Sequence, residues 1–100
     1  MTITQQKENG KITIILEGWL DHQSSPELGA VIEAMESAEE IIFDFEKVEY
    51  ISSAGIRQLV ATHRKAKELG ASFSIIHVNQ EVMSILAITG MDKKLQVSGD

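Results

Sequence analysis

The sequence predicts a single α/β domain in which a mixed β-sheet, opened by a β-hairpin, is covered by about three to four α-helices. Three observations carry that expectation. Two β-branched runs flank an Asn9-Gly10 pair, strand-like and helix-like segments alternate after them, and 100 residues with 43% hydrophobic content suit one core. One domain spanning residues 1–100 is expected, with no repeat, linker or low-complexity stretch.

Ile3 to Glu8 and Lys11 to Glu17 form the hairpin arms, because Asn-Gly accepts the positive φ angles of a type I′ turn. The second arm, Ile12-Thr13-Ile14-Ile15-Leu16, is nearly continuous in apolar character and reads as an interior strand covered on much of both faces. Gly18 to Gln23 breaks the pattern, and Trp19 beside this loop reads as core or half-buried packing first and as an interface anchor second. Ser24-Ser25-Pro26-Glu27 then starts a helix, with a serine N-cap, a proline in the first turn and an acid at the positive dipole end. Leu28, Val31, Ile32 and Met35 give it one apolar stripe, and its end is expected near Ser37.

Ile41 to Phe45 alternates as a strand, with Asp44 pointing outward. Val48-Glu49-Tyr50-Ile51 leads into Ser52-Ser53-Ala54-Gly55, after which Ile56, Leu59, Val60 and His63 recur at helical spacing until Gly70 stops the helix. Ser72 to Val78 reads as a further strand. Asn79 caps a third helix carrying Val82, Ile85, Leu86 and Thr89 on one face, and Gly90 ends it. Lys94 to Val97 is a short last strand or a packed tail. Alternation of this kind implies parallel pairing through right-handed crossovers.

Composition removes several functions. Nine basic against fifteen acidic residues leave a net charge of -6, which repels phosphate backbones and argues against direct nucleic-acid binding. The short run His63-Arg64-Lys65-Ala66-Lys67 reads first as a solvated helix face. With no cysteine there is no disulfide, thiolate metal site or cysteine nucleophile. No stretch approaches membrane-spanning length and the N-terminus lacks a leader pattern, so a cytoplasmic protein without membrane insertion is expected.

Chemistry is scarce. Neither the dinucleotide nor the Walker glycine pattern occurs, so no nucleotide cofactor is expected. Ser53 and His63 stand at opposite ends of a helix, roughly 15 Å apart, and cannot form a triad with Asp44. The nucleophile-elbow glycines are missing as well. His22, His63 and His77 lie on different elements without helical pairing, so no metal is expected, and His77 reads as solvent-facing or held in a polar contact. Asp44 lacks the acidic pair and lysine that a receiver-type phospho-acceptor needs. No catalytic residue is assigned.

What remains is the strand-to-helix junction, where Ser52 or Ser53 opens the best helix of the chain. A serine there fits a plain N-cap. The same free N–H groups and positive dipole end also suit an anion. A phosphoserine would add about 1.5 to 2 negative charges there, with Arg57 one turn away, and so change a surface without unfolding the domain.

Glu17-Gly18-Trp19-Leu20-Asp21, Ile41 to Phe45, Tyr50-Ile51-Ser52-Ser53-Ala54-Gly55-Ile56 and Leu69-Gly70-Ala71, in this order and spacing, resemble STAS domains, in particular bacterial anti-sigma-factor antagonists. In that family the junction reads aspartate, serine, serine or threonine, glycine, with the first serine phosphorylated. Here the acceptor position is Ser53, and Ser52 replaces the aspartate and becomes a competing acceptor. Ala54 replaces the second hydroxyl, and Arg57 stands where glycine is frequent. The resemblance implies a non-enzymatic partner-switching protein. Unphosphorylated, it binds an anti-sigma factor with serine kinase activity and so releases a sigma factor; a PP2C-like phosphatase resets it. Asp21, His22, Ser52, Ser53, Ala54, Gly55 and Arg57 are the expected partner-binding residues, on a face formed by the Ser53 junction, the Leu20-Asp21-His22 loop and the exposed side of the helix after Ser53, and charge reversal at Asp21 or Arg57 is expected to weaken binding with the fold intact. Two alternatives remain: a non-phosphorylated STAS scaffold subunit of a transporter or signalling complex, and a small enzyme or nucleotide-binding domain of the open α/β kind.

Overall fold

Asn9 and Gly10 take φ angles of 50° and 84°, so the opening turn has the two positive values of a type I′ hairpin. In the computed structural model, which describes residues 1–100, the turn joins β1 (Thr2–Glu8) to β2 (Lys11–Leu20) in antiparallel register, Glu8 opposite Lys11 and Thr2 opposite Glu17. There follow α1 (Ser25–Glu33), β3 (Glu40–Ile51), α2 (Ser53–Leu69), β4 (Ser72–Ile76), α3 (Gln80–Ile88), the short α4 (Met91–Lys94) and β5 (Gln96–Val97). The five strands form one mixed sheet in the order β1-β2-β3-β4-β5, parallel after the hairpin.

All three crossovers step across the sheet in the same direction. Right-handed connections therefore put every helix on one face. Burial agrees: Ile12, Ile14 and Leu16 of β2, Ile41, Phe43 and Phe45 of β3, and Phe73 and Ile75 of β4 are buried under the helices. The alternate residues Thr13, Ile15, Asp44, Ser74 and Ile76 are only half-buried, on a face no helix covers. The run Ile12 to Leu16 is thus packed on one side, not on both as its continuous apolar character predicts. Ile42 is 8% exposed on the open face because its strand neighbours Thr13 and Ser74 flank it there.

The helices obey local chemistry in most places. Gly70 caps α2 in the left-handed conformation, and Asn79 caps α3 by accepting the Val82 N–H at 2.8 Å. The first helix departs twice. It stops at Glu33, short of Ser37, with Met35 still reaching the core from beyond its end. Ser24 makes no cap bond to α1; its hydroxyl donates instead to the Trp19 carbonyl at 2.7 Å.

Chain direction places β2's and β3's ends, the start of α2 and Met1 at one end of the sheet, while Asp100 lies beside the end of β4. Met1 lies against Gly18, and Asp100 accepts the His77 N–H at 3.2 Å. The Asn9-Gly10 turn stands at the opposite end, beside Glu39.

On the open face His77 Nδ1 and Asp44 Oδ1 meet at 2.9 Å, tying the end of β4 to β3. His77 is the polar contact the sequence suggests, and Glu46 brings a second carboxylate within 4.8 Å. The Asp44 hydrogen bond raises the His77 pKa above its ordinary 6.5; burial opposes it, and the charges of Asp44, Glu46 and Asp100 add to it. A raised value means stability that is fully present below about pH 6.5 and is lost as pH rises through the higher folded-state value. Thermal melts of the wild type and His77→Asn, which keeps a residue tolerant of the left-handed φ of 58°, should differ at pH 5.5 and converge toward pH 9. A gap independent of pH would remove the charge from this account.

Candidate functional site

Leu20 closes β2 and Ile51 closes β3 as register partners, both buried, so the loop after one strand and the helix after the other start side by side. The Ser52 N–H donates to the Leu20 carbonyl at 3.0 Å and pins the junction to β2. Gly55 lets the helix settle there, since a Cβ at this position would lie 2.6 Å from Leu20 O and 2.7 Å from Ile51 Cγ1. The family-type Gly55 thus has a steric reason that its spacing in the sequence does not reveal.

Ser52 is the N-cap of α2. Its backbone is extended and its hydroxyl accepts the Gly55 N–H at 3.4 Å, while its carbonyl accepts the Ile56 N–H at 2.9 Å. Ser53 is the first helical residue and is exposed. Capping therefore falls to the half-buried Ser52 and leaves the Ser53 hydroxyl to solvent. The N–H groups of Ser53 and Ala54, at the first two helical positions, have no acceptor inside the helix. Arg57, exposed one turn on, has no carboxylate within 4.0 Å.

The neighbouring loop is built around Asp21. Its carboxylate accepts the N–H groups of Gln23 at 3.0 Å and Ser24 at 3.1 Å, and its own N–H donates to Ser24 Oγ at 2.9 Å. The Ser24 N–H above all, opposed by partial burial and helped by the Gln23 N–H, holds its carboxyl below the ordinary carboxylate pKa of 3.8. Asp21 is a structural anchor of the loop as well as a surface charge. Reversing Asp21 would remove these hydrogen bonds together with the charge, whereas Arg57 carries no such bond. His22 projects to solvent beside it.

Asp21, His22, Ser52, Ser53, Ala54, Gly55 and Arg57 therefore fall on one end of the sheet, with Gly55 buried beneath the others. Sequence reasoning missed an aromatic pair at this end. Trp19 is 57% and Tyr50 43% exposed, with ring centroids 5.3 Å apart on the open face. Trp19 is not core. Register irregularities between Ile15 and Glu17 and between Gly18 and Trp19, at a Gly18 φ of 113°, turn it outward opposite Tyr50.

Residues 3–97 match the family model described as "Mlab, STAS domain". Among solved structures, an anti-sigma factor antagonist from Mycobacterium paratuberculosis superposes with a TM-score of 0.88, with 23% identity over 99% of this chain and 86% of that one. A sulfate transporter family protein from Wolinella succinogenes gives 0.83 and 17% over 92% and 79%. The Bacillus cell fate determinant SpoIIAA in its phosphorylated form gives 0.75 and 16% over 96% and 90%. At these identities the likeness is one of fold.

Proposed function

The chain belongs to the STAS domain family, and from that premise we propose that it is an anti-sigma-factor antagonist controlled by phosphorylation of Ser53. In the unphosphorylated state it binds an anti-sigma factor that is also a serine kinase, so that a sigma factor is released. Phosphorylated, it lets the kinase go, and a PP2C-like phosphatase resets it. The chain itself is ligand and substrate rather than enzyme, acting in the cytoplasm without a cofactor of its own.

One observation carries this reading: the cap is supplied by Ser52, which leaves Ser53 exposed and unspent at a helix start. A phosphate on Ser53 would lie beside free N–H groups and the positive end of α2, with Arg57 one turn away. Such a group changes charge and bulk at the junction without disturbing the core. Ser52, half-buried and engaged by Gly55, is the poorer acceptor.

The test is intact-mass and site-mapping analysis of the protein from its native cells beside a Ser53→Ala form. A single phosphate on Ser53, absent from the variant, is expected, as is a stability change for Ser53→Ala within about 0.5 kcal/mol. Ser52→Ala, which removes the cap, should cost about 1 kcal/mol. No phosphate under any growth condition would sink the switch. The likeness to a sulfate transporter family protein then favours the second reading, a non-phosphorylated scaffold subunit of a transporter or signalling assembly.

A further inference from the structure

Charge is segregated in this chain. α2 carries Arg57, Arg64, Lys65 and Lys67 against Glu68 alone, a net of +3, while the remaining residues hold five basic and fourteen acidic groups, a net of -9. The whole is -6, so one helix is a basic island on an acidic molecule.

The helical repeat gathers these charges. At about 100° per residue, Ser53, Arg57, Val60, Arg64 and Lys67 fall within a stripe about 80° wide and about 21 Å long. Gly55, Leu59, Thr62 and Ala66 are buried on the opposite side. Lys65 leaves the stripe, its Nζ reaching toward α1 to donate to the Glu33 carbonyl at 3.3 Å. Arg57, Arg64 and Lys67 are exposed, and none has a carboxylate within 4.0 Å; the sole such pair in the molecule is His77 with Asp44. Fourteen acids lie elsewhere on the chain, yet none reaches these three cations.

We infer that the outward stripe of α2, from Ser53 through Arg57 and Arg64 to Lys67, is a docking surface for an acidic face of a protein partner. The inference rests on the switch reading for its partner but not for its geometry, and it adds to the expected helix face the chemistry of what docks there and the three cations that select it. Charge complementarity selects the occupant. The flat extent of one helix suits a protein surface, and the net charge of -6 disfavours the polyanionic faces of duplex nucleic acid or a lipid bilayer, which would meet the rest of the molecule too. A phosphate on Ser53 would then act at the end of the stripe, cancelling about half or more of its charge and repelling the acidic partner.

The experiment uses the 100-residue chain, 15N-labelled, titrated with a helical peptide bearing glutamates at the 4-3-4-3 spacing of the stripe and with its glutamine counterpart. Amide shifts confined to the outward residues of α2, with the glutamate peptide at least about tenfold tighter, are expected. R57E/R64E should weaken it about thirtyfold or more, and a lysine version of the peptide should bind that variant instead. Circular dichroism would show that the variant is folded. Equal binding of the glutamine peptide, or shifts elsewhere on the molecule, would overturn the inference. So would tighter, arginine-dependent binding of duplex DNA or phosphatidylglycerol vesicles, or self-association that the two substitutions abolish. Because no phosphate is involved, failure here leaves the Ser53 assignment standing, and absence of a phosphate leaves this result standing.

Discussion

Gly55→Ala is expected to destabilise the domain by about 2 to 3 kcal/mol, lowering the melting temperature by about 10 to 20 °C. The added methyl meets Leu20 O at 2.6 Å and Ile51 Cγ1 at 2.7 Å, and neither can yield cheaply. The Leu20 carbonyl is held by the Ser52 N–H, and Ile51 is 1% exposed in the core. Relief requires lifting the first turn of α2 from β2, which breaks the pin that sets Ser53 beside the Asp21 loop. Chemical denaturation would measure the loss. A cost under about 0.5 kcal/mol, the range of an uncrowded surface position, would mean that the helix is not seated so closely.

Phe43→Ala should cost about 3 to 5 kcal/mol, a large share of the roughly 5 to 15 kcal/mol available to a domain of this size. Phe43 is fully buried at the centre of β3, edge-on to Phe73 at 4.9 Å and 6.4 Å from Phe45. Removing the ring opens a cavity beneath the helices that the sheet, with one face already bare, has few side chains to fill. Phe43→Leu, which keeps most of the volume, should lose about 1 kcal/mol. Urea unfolding of both variants separates a cavity from a general disturbance, and a Phe43→Ala cost below about 1 kcal/mol would contradict the packing described above.

Features written in adjacent residues were legible from the sequence. Asn9-Gly10, Gly70 and Asn79 each supply a backbone angle or a cap within four residues, and each does so in the structure. What the sequence concealed depends on distant atoms. Ser24 looks like a cap until the Trp19 carbonyl claims its hydroxyl. Ile15 looks as interior as Ile14 until the common direction of the crossovers leaves its face uncovered. Trp19 is turned out by strand irregularities with no residue signature beyond Gly18, and Asp44 meets a histidine 33 residues away. At the candidate site the order Ser52, Ser53, Gly55 was plain. Which serine caps and which stays free followed only from the extended backbone at Ser52.

The closeness of Met1 to the Gly18–Asp21 segment, at the end of the sheet where α2 starts, bears on how the molecule can be handled. A fluorescent reporter or affinity handle attached at Met1 emerges beside Gly18, Trp19 and Asp21, where its bulk competes with whatever docks there. A short epitope spliced between Asn9 and Gly10 projects from the far end of the sheet, so the hairpin is the place to mark this protein without shielding its working end.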